Sequence, residues 1–238
     1  LSWILAMIFL PVVGIPVYYF LGPRKLKRRQ LRRRLARTAV ARARPPALED
    51  LRANEATLRE ELGDVGAAIA TVGMAAKQGP PMRAAALELY SRGSAAYDAI
   101  NAAIAAASHH VHLEYYTLER GTVADTLRDS LIAARARDVR VRLLLDGLGT
   151  ALIDGWLEPL RRAGVEVARF NPRTRPGILN FRTHRKIVVC DGTVAFTGGM
   201  NVADDHDERV VGDARAWRDT QVKLVGDAAI PLQLAFLE

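Results

Sequence analysis

The stretch that most constrains this 238-residue chain is Thr183-His184-Arg185-Lys186-Ile187-Val188-Val189-Cys190-Asp191-Gly192. Asp-Gly is a favoured pair for a two-residue hairpin turn, and Thr193-Val194-Ala195-Phe196 supplies a returning strand. Residues two apart on a strand share a face, so the spacing predicts His184 and Lys186 on one side and Arg185, Ile187 and Val189 on the other. An imidazole and an ammonium held side by side on a hairpin suit a phosphate ester. A ring nitrogen attacks or protonates, while a fixed cation takes the charged oxygens.

The residues around the hairpin extend the pattern: Asn180-Phe181-Arg182 before it, Gly198-Gly199-Met200-Asn201 after it, and Trp217-Arg218-Asp219-Thr220 further on. Together these runs resemble the phospholipase D superfamily, and within it the bacterial cardiolipin synthases. The resemblance covers most of the chain outside residues 45–84. It implies a two-step phosphoryl transfer without metal or cofactor, in which one histidine forms a phosphohistidine and a second protonates the leaving alcohol. By position, His184 is the expected nucleophile, Lys186 and Asn201 the phosphate-binding groups, and Asp219 a carboxylate that orients an imidazole. Asp191 belongs to the family motif, yet its place beside Gly192 makes a structural turn role the larger share of what is expected of it. The implied donor and acceptor are both phosphatidylglycerol, with glycerol released. The second histidine must come from another H-x-K motif downstream or from a homodimer partner. The rivals are a dimeric phosphodiesterase or nuclease and an inactive half-domain; no nucleic-acid partner is expected.

Residues 1–22 carry no charge, and a helix of that length rises roughly 30 Å, enough for a hydrocarbon core. Trp3 at one end and Tyr18 and Tyr19 at the other suit the two membrane interfaces. No basic residue precedes the run and no small-residue cleavage site follows, which argues against a secretory signal. Eleven basic residues then fall between Arg24 and Arg44, with no acidic residue before Glu49. The chain holds 34 Lys and Arg against 26 Asp and Glu, so the remainder has 23 basic residues and a net charge near −3. The basic character therefore belongs to a juxtamembrane tract, which predicts a cytoplasmic catalytic region at the inner membrane. One cysteine excludes an intramolecular disulfide and agrees with a reducing compartment.

The expected organisation is a transmembrane helix over 1–22, a basic tract and helical linker over 23–84, and a catalytic domain over 85–238. Pro45-Pro46 breaks the tract, 47–62 reads as an amphipathic helix, and 63–84 as linker or loosely packed helix. Beyond it, helices are expected at 94–107, from 122 to about 137, near 154–163 and after 227. Strands are expected at 110–117, 139–145, 165–170 and 217–225. Strands separated by helices of this length predict an α/β fold with a mixed sheet flanked by helices on both faces. The chain starts at Leu without an initiator Met and stops within an apolar helical pattern, so it reads as the N-terminal half of a longer protein.

Other groups draw milder expectations. His109, His110 and His112 look like a metal triplet but lack nearby acidic or thiolate partners, and the strand pattern explains them. The acidic run Asp204-Asp205-His206-Asp207-Glu208 reads as a solvated loop. Glu114, a carboxylate in a central strand, must be partnered; a headgroup, the histidine or an inward structural pair would each serve. Asp146-Gly147-Leu148-Gly149-Thr150 follows a strand and could line a pocket.

Overall fold

A computed structural model describes residues 8–21, 55–75, 81–147, 149–150, 153–170 and 182–237. At its start, helix α1 spans Pro11–Leu21, eleven residues that rise about 16 Å. Among the described residues no helix is long and apolar enough to cross a membrane. Residues 1–7 and 22 of the expected span, and the whole basic tract, lie outside the described residues. Helix α2 is Glu55–Glu61 and α3 is Gly63–Ala75, which buries none of its residues.

Among the described residues seven strands form one sheet in the order β1-β7-β6-β5-β2-β3-β4. They are β1 (Ala86–Tyr90), β2 (His110–Tyr115), β3 (Arg140–Asp146), β4 (Glu166–Phe170), β5 (Ile187–Cys190), β6 (Val194–Gly198) and β7 (Gln221–Val225). β2, β3 and β4 pair in parallel; every other pairing is antiparallel. The edge strand β1 has no counterpart among the expected elements. Its Leu87 and Leu89 are exposed, so its place comes from pairing with β7 and not from core burial.

Helices α4 (Gly93–Ala106), α5 (Thr122–Ala136) and α6 (Asp154–Arg162) cover one face. Tyr97, Ile100 and Ile104 of α4 and Val123, Leu127 and Leu131 of α5 follow helical spacing. They pack with Val111, Leu113, Tyr115, Val141, Leu143, Leu145, Val188 and Phe196 in a single core. Each such side chain contributes about 1.5–3 kcal/mol on burial. On the other face Ile187, Val189 and Ala195 meet Ala229 and the partly buried Leu232 and Ala235 of the last helix, α8 (Ile230–Leu237). The short α7 (Glu208–Val211) precedes β7. β5 is therefore buried on both sides, which explains its unbroken apolar run.

Two local expectations change, at the hairpin turn and at the start of the last strand. The hairpin turn holds three residues: Asp191 and Gly192 take φ of 53° and 72°, Thr193 N–H donates to the Cys190 carbonyl, and Cys190 pairs with Val194. The N-terminus of α5 is capped from a distance, since Asp204 accepts the Thr122 and Val123 N–H groups at 3.1 and 2.9 Å. The last strand starts at Gln221, leaving 217–220 outside it.

Candidate active site

The antiparallel pairing of β5 with β2 begins at Ile187 opposite Glu114, so residues 182–186 run past the carboxyl end of β2. The carboxyl ends of β3 and β6 and the start of β7, where Gly198 pairs with Gln221, lie at the same end of the sheet. His184, Lys186, Asn201 and Asp219 all sit on the connections there. In mixed α/β sheets the crevice outside the carboxyl ends of parallel strands is the usual place for a ligand.

His184 and Lys186 come together as expected, though ahead of β5 and not within it. Lys186 Nζ lies 3.1 Å from His184 Nδ1 and donates to the His184 carbonyl at 3.1 Å. Tyr116 backs the pair: its ring centroid is 4.5 Å from that of His184, and Lys186 Nζ stands 5.5 Å from it. Lys186 is only 3% exposed, whereas His184 is exposed. Burial lowers the pKa of Lys186, and the nearby charge of Asp219 partly opposes this. With a protonated Lys186, Nδ1 of His184 is the acceptor and Nε2 carries the ring proton. A phosphate oxygen that draws Lys186 away would free the ring to change tautomer.

Asp219 accepts the Thr220 N–H at 2.7 Å. Its carboxylate rests so close to Gly199 that an added Cβ there would lie 2.0 Å from Oδ1. A Cβ at Gly198 would meet the Thr220 carbonyl oxygen at 2.2 Å. The glycine pair thus makes room for the segment leading into β7. Asn201 Oδ1 accepts the Thr117 N–H at 3.3 Å and its carbonyl accepts the Tyr97 hydroxyl at 2.6 Å, tying the end of β2 to the connection after β6.

Two expected site residues do not join the pair directly. Asp191 sits at the far end of β5, roughly 23 Å along the chain at an extended rise. There it accepts the N–H groups of Ser108, His109 and His110 at 2.8–2.9 Å and the Ser108 hydroxyl at 3.1 Å. Burial would raise its pKa, but those hydrogen bonds together bring it to about 2. Its geometry is that of a loop anchor. Glu114, 2% exposed, bonds Thr183 Oγ1 and lies 3.8 Å from Arg185, the inward structural pairing among its three expected roles.

The acidic run is ordered, contrary to the solvated loop expected. Asp204 caps α5, while Asp207 and Glu208 pair with Arg209 and Arg92. His206 within it is 3% exposed and edge-on to Trp217, with ring centroids 5.6 Å apart. Burial lowers its pKa, against the pull of Asp219 and Asp205, so a second imidazole lies within the electrostatic field of the site. His110 and His112 both bond Gln233 of α8, at 3.0 Å and 2.8–3.2 Å. Asp146, in the run that the sequence offers as pocket lining, is fully buried at the end of β3. A carboxylate closing the apolar strand Val141-Arg142-Leu143-Leu144-Leu145 was the available signal.

Residues 100–208 match the family described as cardiolipin synthase, phospholipase D-like domain. The whole chain aligns at 33% identity with cardiolipin synthase 1 of Bacillus anthracis, covering 47% of that protein. It aligns equally with the cardiolipin synthase of Alkalihalophilus pseudofirmus, at 33% identity over all of this chain and 47% of that one. The chain thus spans about half the length of the curated relatives it matches. Among solved structures, phosphatidylserine synthase from Haemophilus influenzae superposes with a TM-score of 0.50 over 67% of this chain and 38% of its own, at 13% identity. That likeness is one of fold.

Proposed function

Since the chain belongs to the phospholipase D superfamily, among the cardiolipin synthases, we propose that it is one catalytic domain of a membrane-bound phosphatidyltransferase. The observation that carries this reading is the contact between a buried ammonium, Lys186, and an exposed imidazole, His184, at 3.1 Å. His184 attacks the phosphorus of phosphatidylglycerol, a P–N bond forms as the P–O bond to glycerol breaks, and glycerol leaves with a proton from a second imidazole. The hydroxyl of another phosphatidylglycerol then gives its proton to that imidazole and attacks phosphorus, which expels His184 and yields cardiolipin. Lys186 neutralises the phosphate oxygens from a low-dielectric setting, where one such contact is worth about 10²–10³ in rate. The amide nitrogen of Asn201 can turn to the same oxygens, and Asp219 holds charge beside Lys186.

In this reading residues 85–238 are the first phospholipase D-like domain, and the second imidazole comes from a further H-x-K motif or from a second copy. Residues 1–22 and the eleven basic residues after them tether the domain to the cytoplasmic side of the inner membrane, which keeps the site beside a lipid that rarely leaves the bilayer. The chemistry asks for no metal or cofactor. The test incubates the full-length protein with phosphatidylglycerol vesicles and measures cardiolipin and glycerol by mass spectrometry. Equimolar products from the wild type and none from His184→Ala support the proposal; hydrolysis of DNA with phosphatidylglycerol left intact would overturn it.

A further inference from the structure

The segment that carries His184 is not held by the sheet. The ladder between β5 and β2 begins at Ile187, so residues 182–186 lack the strand hydrogen bonds that would otherwise fix a catalytic side chain. Two buried carboxylates take their place. Asp146, wholly buried at the end of β3, accepts the Thr183 N–H at 3.2 Å, and its other oxygen accepts from Arg182 Nη1 and Gly149 N–H, both at 3.3 Å. Glu114, near the end of the parallel neighbour β2, accepts the Thr183 hydroxyl and lies 3.8 Å from Arg185 Nη1. Arg185 also donates to the Ala235 carbonyl of α8 at 2.7 Å. Thr183 itself is 7% exposed. Residues 182, 183 and 185 are thus each pinned on a carboxylate, while His184 between them points to Tyr116.

From this we infer that Thr183 is a positioning residue: bridging Asp146 and Glu114, it fixes the backbone that aims His184. The inference rests on the reading of His184 as the reacting group and adds two carboxylates that act through it. Burying two carboxylates on adjacent strands is costly unless both are paired, and here they meet on one residue. One donor, the backbone N–H, is set by chain position alone; the other, the hydroxyl, is set by residue type. That division makes the hydroxyl the lever a substitution can pull.

The test compares Thr183→Val, which keeps the branch at Cβ and the N–H but loses the hydroxyl, with Thr183→Ser, which keeps the hydroxyl, in the full-length protein. Misaiming a catalytic group by about 1 Å costs about 10²-fold, so Thr183→Val should lower kcat about 10–100-fold with KM for phosphatidylglycerol within about twofold. Thr183→Ser should stay within about threefold of wild type. Nitrogen-15 spectra of the imidazoles give a readout that needs no substrate: one sharp His184 ring signal in the wild type and the Ser variant, and broadened or multiple signals in Thr183→Val. Wild-type kcat and a single ring signal in Thr183→Val would overturn the inference. Equal losses in Val and Ser, or a Val chain that does not fold, would make the contact one of folding and overturn it too. A wild type inactive on phosphatidylglycerol but showing this spectral contrast would count against the substrate and leave the positioning intact.

Discussion

Replacing Asp191 with Asn should weaken the fold and spare the chemistry. The carboxylate anchors three consecutive N–H groups at the entry to β2 and is lowered to a pKa of about 2 from an ordinary 3.8. At about 1.36 kcal/mol per pH unit, that fall corresponds to roughly 2.4 kcal/mol favouring the ionised, folded form. Asp191 is only partly buried, so solvent screening reduces the figure to about 1–2 kcal/mol. Asn keeps one acceptor oxygen and tolerates the left-handed φ of 53°, so the variant isolates the charge. Because the folded pKa is depressed, the stabilisation is present above about pH 4 and fades as pH falls towards 2. Urea unfolding at pH 7 should show wild type more stable than Asp191→Asn by about 1–2 kcal/mol, with the gap closing in acid. Turnover of the folded variant should stay within about threefold of wild type. A 100-fold loss of kcat with an unchanged urea midpoint would instead place Asp191 at the reacting centre.

Other outcomes follow from the same contacts. Gly199→Ala places a Cβ 2.0 Å from Asp219 Oδ1, so the carboxylate must move; kcat should drop at least tenfold and stability by about 1–3 kcal/mol in thermal melts. His112 is lowered to a pKa of about 4, first by burial and then by His110, with Gln233 opposing and Arg142 and Arg140 adding to the fall. The unfolded chain binds its proton first, so stability should decline from about pH 6.5 down to 4 by about 2–3 kcal/mol. His112→Phe, which keeps the stack on Phe236, should flatten that decline in urea titrations at pH 7 and pH 5.

What the sequence disclosed, and what it withheld, divides along a physical line. Val111, Leu113 and Tyr115 alternate because they share the face of β2 that meets the helix-covered core, and Thr193 to Phe196 returns because Asp191-Gly192 favours positive φ; both patterns are local. The pairing of His184 with Lys186 was legible for the same reason, since two residues of separation suffice. The long-range contacts that secure it were not. Asp146 and Glu114 converge on Thr183 from strands 37 and 69 residues away in sequence. Asp204 caps a helix 82 residues earlier, and the buried His206 meets Trp217 edge-on. No periodicity encodes such contacts, and an acidic run reads as solvated until its partners are in place. β1 was missed because both of its leucines face outward on a sheet edge, where ladder bonds and not burial define the strand.

Transfer of the phosphorus to the His184 ring can be caught in mid-reaction. Full-length protein is mixed with phosphatidylglycerol, quenched in alkali within one turnover, digested, and the peptide carrying His184 is weighed. A phosphatidyl adduct should sit on His184, be absent from Lys186→Gln, and disappear when excess glycerol reverses the first step to phosphatidylglycerol. Cardiolipin forming while every His184 peptide stays unmodified would contradict it.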